Sequence, residues 1–189
     1  MHTIEPFPLW EMLYNSSDDI NSPFYKKEYN EYEYSSTIYN YYIHPKWDYI
    51  GSPTLYIKIL YIDYTLHFAI IEMFGEWNDC LNNDIMFLKR DIIDIFISHG
   101  IIYYILIGEN VLISHFYDDS YYEEWAQDIP NGWIVALNFQ KHVIKDFINN
   151  RINNFIVIDT QFENINWRTN NPIKLFHLIN LLIQKKLNL

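Results

Sequence analysis

The chain has a single cysteine, Cys80, among its 189 residues, so no disulfide can form within it. A protein without disulfides is suited to a reducing compartment. The N-terminus, Met1–Pro6, lacks the basic segment followed by an apolar one that marks a signal peptide. No uninterrupted apolar run approaches the ~20 residues that span a bilayer. We therefore expect a cytoplasmic protein that does not enter a membrane.

Glycine is also scarce, with five residues in the chain, and the glycine-dependent phosphate-binding motifs are missing. The sequence contains neither Gly-x-x-x-x-Gly-Lys-Ser/Thr nor Gly-x-Gly-x-x-Gly, which argues against P-loop and standard dinucleotide-binding folds. It also lacks Cys-x-x-Cys, His-Glu-x-x-His and Gly-x-Ser-x-Gly, and structural zinc bound by cysteines is excluded. These absences favour a protein that is not an enzyme and has no cofactor.

What the chain does have is an uneven charge distribution, with a formal net charge of −11. Residues 1–135 carry 21 acidic and 6 basic side chains, whereas residues 136–189 carry 3 acidic and 7 basic ones. Such asymmetry is typical of partner recognition or self-association. The negative net charge makes nucleic acid an unlikely partner, although Trp167 and Arg168 have the chemistry to stack on a base or bind a carboxylate.

Length and a hydrophobic content of 50% predict one domain, residues 1–189, that buries a substantial core. Residues 1–35 are rich in turn formers and predict an irregular segment packed on that domain. Strands are predicted over residues 37–44, 54–63 and 66–74, the last two as an antiparallel hairpin. Helical spacing follows from Ile85 to His99, with Gly100 as the stop. The run 101–107, which ends at Gly108, is apolar throughout and predicts a central parallel strand.

The remaining chain alternates between helices and strands. A short helix is predicted from about residue 118 to 127, a strand over 133–137, a helix over 139–149 and a strand over 153–159. Pro172 opens a final helix that continues towards Leu189. The order β-β-β-α-β-α-β-α-β-α predicts an α/β fold, with a mixed sheet in which an N-terminal antiparallel meander precedes alternating β-α units.

Over roughly residues 37–189, this element order resembles that of STAS-like (anti-sigma-antagonist-like) domains. The resemblance implies binding of partner proteins or small anions, in some members through a phosphorylatable Ser or Thr at a helix start. The corresponding helix start here is Asn82-Asn83-Asp84, which has no hydroxyl, so the phosphorylation switch is not carried over. The segments Ile38–Pro45, Gly75–Asp79 and Tyr121–Trp125 are similar to those of an uncharacterised family of bacterial proteins, and this similarity implies no activity.

Polar side chains follow the predicted parallel strands. Ligands of open α/β sheets bind beyond the carboxyl ends of such strands, and carboxylate oxygens suit Mg²⁺ or Mn²⁺. One hypothesis is therefore a divalent-metal-dependent hydrolase that acts on a phosphoester. Helix capping is the alternative explanation for Asn82, Asn83, Asp84, Asp118 and Asp119. The candidate metal ligands are Glu76, Asp79, Glu109 and Asp118, with His115 as the candidate catalytic residue.

The leading hypothesis is a non-catalytic protein–protein interaction module that binds a protein partner or a second copy through an acidic, aromatic surface. Exposed Tyr and Trp are typical interface anchors, although aromatic residues are also favoured in the core of sheets. One candidate surface combines Glu28, Glu31 and Glu33 with Tyr29, Tyr32, Tyr34, Tyr39, Tyr41, Tyr42 and Trp47. The other candidate binding residues are Glu76, Trp77, Asn78, Asp79, Glu109, Asn110, Tyr121, Tyr122, Glu123, Glu124 and Trp125.

Overall fold

Main-chain hydrogen bonds join the strands of this chain into two sheets. The structure, a computed structural model, describes residues 2–30, 32–34 and 36–187. The strands in these ranges are β1 (His2–Ile4), β2 (Thr37–Ile38), β3 (Tyr41–Ile43), β4 (Asp48–Tyr49), β5 (Leu55–Asp63), β6 (Phe68–Asn78), β7 (Tyr103–His115) and β8 (Trp133–Leu137). A small sheet has the order β1-β3-β2, and a larger one has the order β4-β5-β6-β7-β8.

The larger sheet is mixed. β4, β5 and β6 are antiparallel neighbours, whereas β7 lies parallel to β6 and β8 lies parallel to β7. The predicted hairpin of residues 54–63 and 66–74 corresponds to β5 and β6. An antiparallel meander thus leads into alternating strands and helices, and the predicted α/β fold class is confirmed.

Helices connect the parallel strands and complete the fold. They are α1 (Asp84–Phe87), a π-helical segment (Leu88–Ile93), α2 (Asp94–Ser98), α3 (Ser120–Asp128), α4 (Lys141–Asn149) and α5 (Pro172–Leu187). The first three form one continuous run, and Gly100 follows it with a φ of +86°, a conformation that glycine adopts without strain. α5 begins at the predicted Pro172, while Asn188 and Leu189 of the predicted final helix lie outside the described residues.

Two core layers cover the opposite faces of the larger sheet. In the first layer, residues 84–98, α3 and α4 pack on one face, where Phe147 meets Trp77 with ring centroids 5.7 Å apart. In the second layer, α5 packs on the other face, where the rings of Phe176 and Phe68 stack at 4.3 Å. Every helix therefore buries its apolar stripe against the same sheet, which supplies most of the stabilising apolar contact.

Residues 7–10 of the N-terminal segment pack on the second layer, whereas Tyr14 and Phe24 pack on the first. The rings of Phe7 and Trp10 lie edge-on to Trp167, with centroids 4.8 and 5.5 Å away, and Trp10 is buried. The Phe7 main-chain N–H donates a hydrogen bond of 2.9 Å to the Glu72 carboxylate in β6. Among the described residues, no helix combines the length and the apolar character needed to cross a bilayer.

β7 is longer than predicted, and this changes the position of two candidate residues. The strand was expected to end at Gly108, but it continues to His115 because β6 also continues and pairs with it as far as Asn78. Gly108 leaves space for the ring of Phe139. A Cβ at this position would lie 2.3 Å from that side chain. Glu109 therefore lies within a strand, as does Asn110, and neither is part of a loop beyond its end.

Two other strand predictions are partly wrong. Residues 37–44 form the two short strands β2 and β3, because Tyr39 takes a left-handed conformation (φ 50°) and reverses the chain. The predicted strand over residues 153–159 is reduced to one parallel bridge between Val157 and Val135. Short 3₁₀ turns at Ile152–Asn154 and Thr160–Phe162 curl the chain on either side of that bridge.

Candidate functional site

Asp79 lies just beyond β6, at the carboxyl edge of the sheet, on the face of the first layer. Its Oδ1 accepts hydrogen bonds from the Trp77 indole N–H (3.1 Å) and the Ile85 main-chain N–H (2.9 Å). Its Oδ2 accepts one from the Tyr122 hydroxyl at 2.6 Å. Burial raises the pKa of Asp79 to about 7, against the lowering effect of these three donors. The carboxylate lines a cavity of about 210 Å³ together with Asp118.

Some of the acids at this edge accept hydrogen bonds from main-chain N–H groups at the starts of helices. Asn83 is the N-cap residue of α1, but its side chain makes no capping hydrogen bond, and Asp79 accepts the hydrogen bond from Ile85 in its place. Asp118 accepts a hydrogen bond from the Ser120 main-chain N–H at 2.9 Å, at the start of α3. These contacts satisfy main-chain N–H groups at the starts of α1 and α3, as capping requires.

Glu76 and His115, the candidate catalytic residue, lie close together at the ends of β6 and β7. The His115 Nε2 is 3.9 Å from the Glu76 Oε1, which also accepts a 2.6 Å hydrogen bond from the Asn78 side chain. The Tyr39 hydroxyl donates to the Glu76 Oε2, and this hydrogen bond raises the pKa of Tyr39 to about 12. The site thus combines one carboxylate with a half-exposed imidazole.

Glu109 belongs to a different cluster, on the face of the second layer. Its Oε1 accepts hydrogen bonds from the Asn138 amide (2.7 Å) and the Trp167 indole N–H (2.8 Å). Its Oε2 pairs with the Arg168 guanidinium at 2.5 Å. Both oxygens are occupied by protein groups, so Glu109 joins the 3₁₀ turn Trp167–Thr169 to the sheet. The sequence predicted that Trp167 and Arg168 could stack on a base or bind a carboxylate. In the structure both bind the carboxylate of Glu109.

Glu72 completes this cluster, and the sequence analysis did not single it out. It is 1% exposed and accepts hydrogen bonds from the Phe7 main-chain N–H (2.9 Å) and the Asn110 amide (3.4 Å). Its Oε1 is 4.0 Å from Arg168. Burial raises the pKa of Glu72 to about 7, while the Phe7 amide and Arg168 oppose that rise. The sequence signal for Glu72 was its position as the one acid in the otherwise apolar segment Phe68–Phe74.

The structure does not bring the four predicted metal ligands to one point. Asp79 and Asp118 lie on the face of the first layer, whereas Glu109 lies on the opposite face. Glu76 pairs with Ile113 in the β6–β7 ladder, four residues and therefore about 13 Å along the strand from Glu109. The described residues contain no group of three or more His, Cys, Asp or Glu side chains placed to hold a metal ion. The structure therefore does not assemble the predicted ligands into a single site.

Millimolar Mg²⁺ or Mn²⁺ is expected to change the Tm of the protein by less than about 1 °C, because the described residues contain no group of three or more His, Cys, Asp or Glu side chains placed to hold either ion. Differential scanning fluorimetry with and without each cation is the measurement. Glu109→Gln is the matched variant, since it removes one predicted ligand but keeps an acceptor for Trp167. A rise of several degrees that Glu109→Gln abolishes would contradict this expectation and restore the metal-dependent hydrolase.

The candidate surface on α3 is largely engaged within the protein. Tyr122 and Trp125 are fully buried in the first layer, because their spacing of three residues places them on one face of the helix. Glu124 forms a bidentate ion pair with Arg90, at 2.5 and 2.7 Å. It also lies 3.6 Å from the buried Lys89. Trp77 and Asn78 are buried too, so four of the predicted binding residues have no surface to offer a partner.

The N-terminal tyrosines are different. Tyr32 is 92% exposed, and Tyr34, Tyr39 and Tyr42 are also exposed, whereas Trp47 is buried behind the small sheet. Tyr34 packs edge-on against Tyr42, with ring centroids 6.2 Å apart. We call Glu28, Tyr32, Glu33, Tyr34 and Tyr42 the tyrosine face. Glu31, a candidate for the same surface, lies outside the described residues.

The acids of the tyrosine face are available to a partner. Glu28 and Glu33 are both exposed, and neither forms an ion pair with a described residue. The contact made by Glu33 is a 3.2 Å hydrogen bond from the Asn30 amide. Exposed aromatic rings and carboxylates that form no ion pair with a described residue therefore give a surface that resembles an unoccupied interface.

Comparison with known proteins adds no assignment to this geometry. No model of a protein family matches the chain. No curated protein is significantly similar to it.

Proposed function

We propose that this protein is a non-catalytic binding module of the cytoplasm, and that its tyrosine face binds a basic segment of a partner protein. The observation that carries the proposal is the exposure of Tyr32, Tyr34 and Tyr42 together with that of Glu28 and Glu33, which form no ion pair with a described residue. Tyrosines supply large contact areas at a small cost in side-chain entropy. The exposed thiol of Cys80 is consistent with a reducing compartment.

The chemistry of the chain favours a cationic partner. Within the protein, basic groups already rest on tyrosine rings: the Lys58 ammonium lies 4.0 Å from the Tyr29 ring centroid, and Arg90 lies 5.3 Å from that of Tyr121. An arginine or lysine from a partner can make the same contact on Tyr32, whose ring carries no cation from the described residues. Carboxylates beside the rings add electrostatic attraction and raise the association rate.

The placement of the tyrosine face also supports this function. Tyr42 lies in β3, opposite Thr3 of β1 and Thr37 of β2, and all three residues are exposed. The alternate side chains, such as Ile43, are buried against the larger sheet. The small sheet thus has one face fixed to the core and one face free, as a docking platform requires.

The test measures binding of a fluorescent arginine- and lysine-rich peptide by anisotropy. The double variant Tyr32→Ala/Tyr34→Ala is expected to weaken binding by at least about tenfold. The matched control is Tyr117→Ala, because Tyr117 is 85% exposed but lies after β7 and outside the tyrosine face. Glu28→Gln/Glu33→Gln is expected to weaken binding most at low salt.

Two results would overturn the proposal. One is equal binding by the wild type and the double tyrosine variant. The other is equal loss of affinity in Tyr117→Ala, which would show that the peptide responds only to overall charge and aromatic content. Circular dichroism spectra of all variants establish that they remain folded.

A further inference from the structure

The outer side of α5 carries two exposed leucines with a lysine on either side of them. Lys174, Leu178, Leu181 and Lys185 are all exposed, and their spacings of four, three and four residues place them in one line along the helix. Leu178 is 38% exposed and Leu181 is 50% exposed. Neither lysine forms an ion pair with a described residue. We call these four residues the basic stripe; it has an apolar centre and a positive charge at each end.

A second surface, on the N-terminal segment, has the opposite charge. Leu9, Met12, Leu13 and Ile20 are exposed, Met12 to 97%, and Asp18 beside them is exposed and without an ion pair among the described residues. We call these five residues the acidic patch. Met12, Leu13 and Asp18 line a cavity of about 430 Å³. Apolar side chains grouped in this way are typical of an interaction site.

The two surfaces are anchored by different contacts. Phe176 holds the basic stripe against Phe68. The acidic patch lies where the N-terminal segment passes from Trp10, which packs on Trp167, to Tyr14, which packs on the first layer, and Ile62 and Tyr64 of that layer line the same cavity. One chain therefore presents two separate apolar surfaces of opposite charge.

From this arrangement we infer that the partner of these surfaces is a second copy of the same chain, with the basic stripe of each copy on the acidic patch of the other. A two-fold axis makes both contacts at once, since each copy supplies one surface and receives the other. Leu178 and Leu181 meet the apolar residues around Met12, while Lys174 or Lys185 approaches Asp18. None of these contact residues belongs to the tyrosine face, so the dimer and the proposed function are tested with separate variants.

Sedimentation velocity of the full chain at high micromolar concentration tests this inference. The wild type is expected to sediment as a dimer, more strongly at low than at high salt. Leu181→Glu and Met12→Lys, on opposite sides of the proposed contact, are each expected to raise the dissociation constant by at least about tenfold. Ile148→Ser is the control, because Ile148 is 52% exposed but lies on α4, in the first layer.

Charge reversal separates this arrangement from unspecific association. Lys174→Glu/Lys185→Glu should weaken the dimer, and an equimolar mixture of that variant with Asp18→Lys should form a heterodimer more tightly than either variant self-associates. A monomeric wild type overturns the inference, and so does a dimer that Ile148→Ser disrupts while Leu181→Glu and Met12→Lys leave it intact. Retained far-ultraviolet circular dichroism establishes that a loss of dimer is not a loss of fold.

Discussion

Trp77→Ala is expected to lower the free energy of unfolding by about 4 kcal/mol. The indole is fully buried and lies among the rings of Phe116, Tyr122, Phe139 and Phe147, at centroid distances of 5.7 to 6.4 Å. Removing it leaves a large cavity between β6 and the helices of the first layer. It also removes the indole donor of Asp79, so a buried carboxylate loses one of three hydrogen bonds.

Urea unfolding followed by far-ultraviolet circular dichroism measures this loss, since tryptophan fluorescence is itself altered by the change. Trp77→Phe is the graded variant: it keeps much of the aromatic packing, and we expect a smaller loss. Tyr117→Ala is the exposed control and should stay within about 0.5 kcal/mol of the wild type. A Trp77→Ala protein that is as stable as the Tyr117→Ala protein would contradict the burial of this indole.

Trp77 also shows what the sequence could not reveal. The segment Gly75–Asp79 follows a predicted strand end and has the composition of a loop, so Trp77 was interpreted as a binding residue. Its burial depends on Phe147 of α4 and Tyr122 of α3, which are distant in the chain. The same holds for Glu109, which was predicted beyond a strand end but lies inside β7, because the neighbouring β6 extends far enough to pair with it.

Other features were available from local pattern. The β5–β6 hairpin, the parallel strand that begins near residue 101 and the start of α5 at Pro172 follow from periodicity and from turn chemistry. The burial of Tyr122 and Trp125 was also available, since Tyr122, Trp125 and Ile129 recur at spacings of three and four residues. Weighing this spacing against the acidic composition of residues 121–125 would have removed both from the predicted surface.

Ion pairs between residues distant in the chain could not be predicted from local sequence pattern. Arg168 was expected to have the chemistry to bind a carboxylate, and in the structure it binds Glu109. The choice among 24 acidic residues was open from sequence alone, because it depends on how the 3₁₀ turn at residues 167–169 packs on β7. Glu72 was missed for the same reason: its partners, Phe7 and Arg168, come from the two ends of the chain.

The stability of the protein is expected to fall as the pH rises from about 5 to about 8, and Glu72 is expected to account for up to about 3 kcal/mol of that fall. Burial raises the pKa of Glu72 from 4.5 to about 7. Between these two values the folded state holds a proton that the unfolded state has lost. Raising the pH then favours unfolding, until Glu72 is ionised in both states.

Asp79 contributes to the fall with the same sign, because its pKa is also raised to about 7 by burial, and burial raises the pKa of Asp84 as well. Asp94, Glu124 and Asp159 act in the opposite direction. Their pKa values are lowered, chiefly by hydrogen bonds from Lys89, Arg90 and the Gln161 main-chain N–H respectively. The stability that they contribute is lost only as the pH falls below the ordinary range of carboxyl groups, so the window from pH 5 to 8 reports on the buried acids whose pKa is raised.

Urea unfolding at intervals across this window, with the wild type and Glu72→Gln, tests the assignment. Glutamine keeps an acceptor for the Phe7 N–H and does not ionise, so Glu72→Gln should reduce the slope, leaving the part due to the other buried acids, and be more stable than the wild type at pH 8. Glu28→Gln is the matched control, because Glu28 is exposed and its replacement should leave the slope unchanged. If the wild type gains stability between pH 5 and 8, the ionised Glu72 is stabilised by Arg168 more than it is penalised by burial. The contact between the N-terminal segment and β6 would then be an ion-pair network held by charge, and Glu72→Gln would destabilise the protein at pH 8.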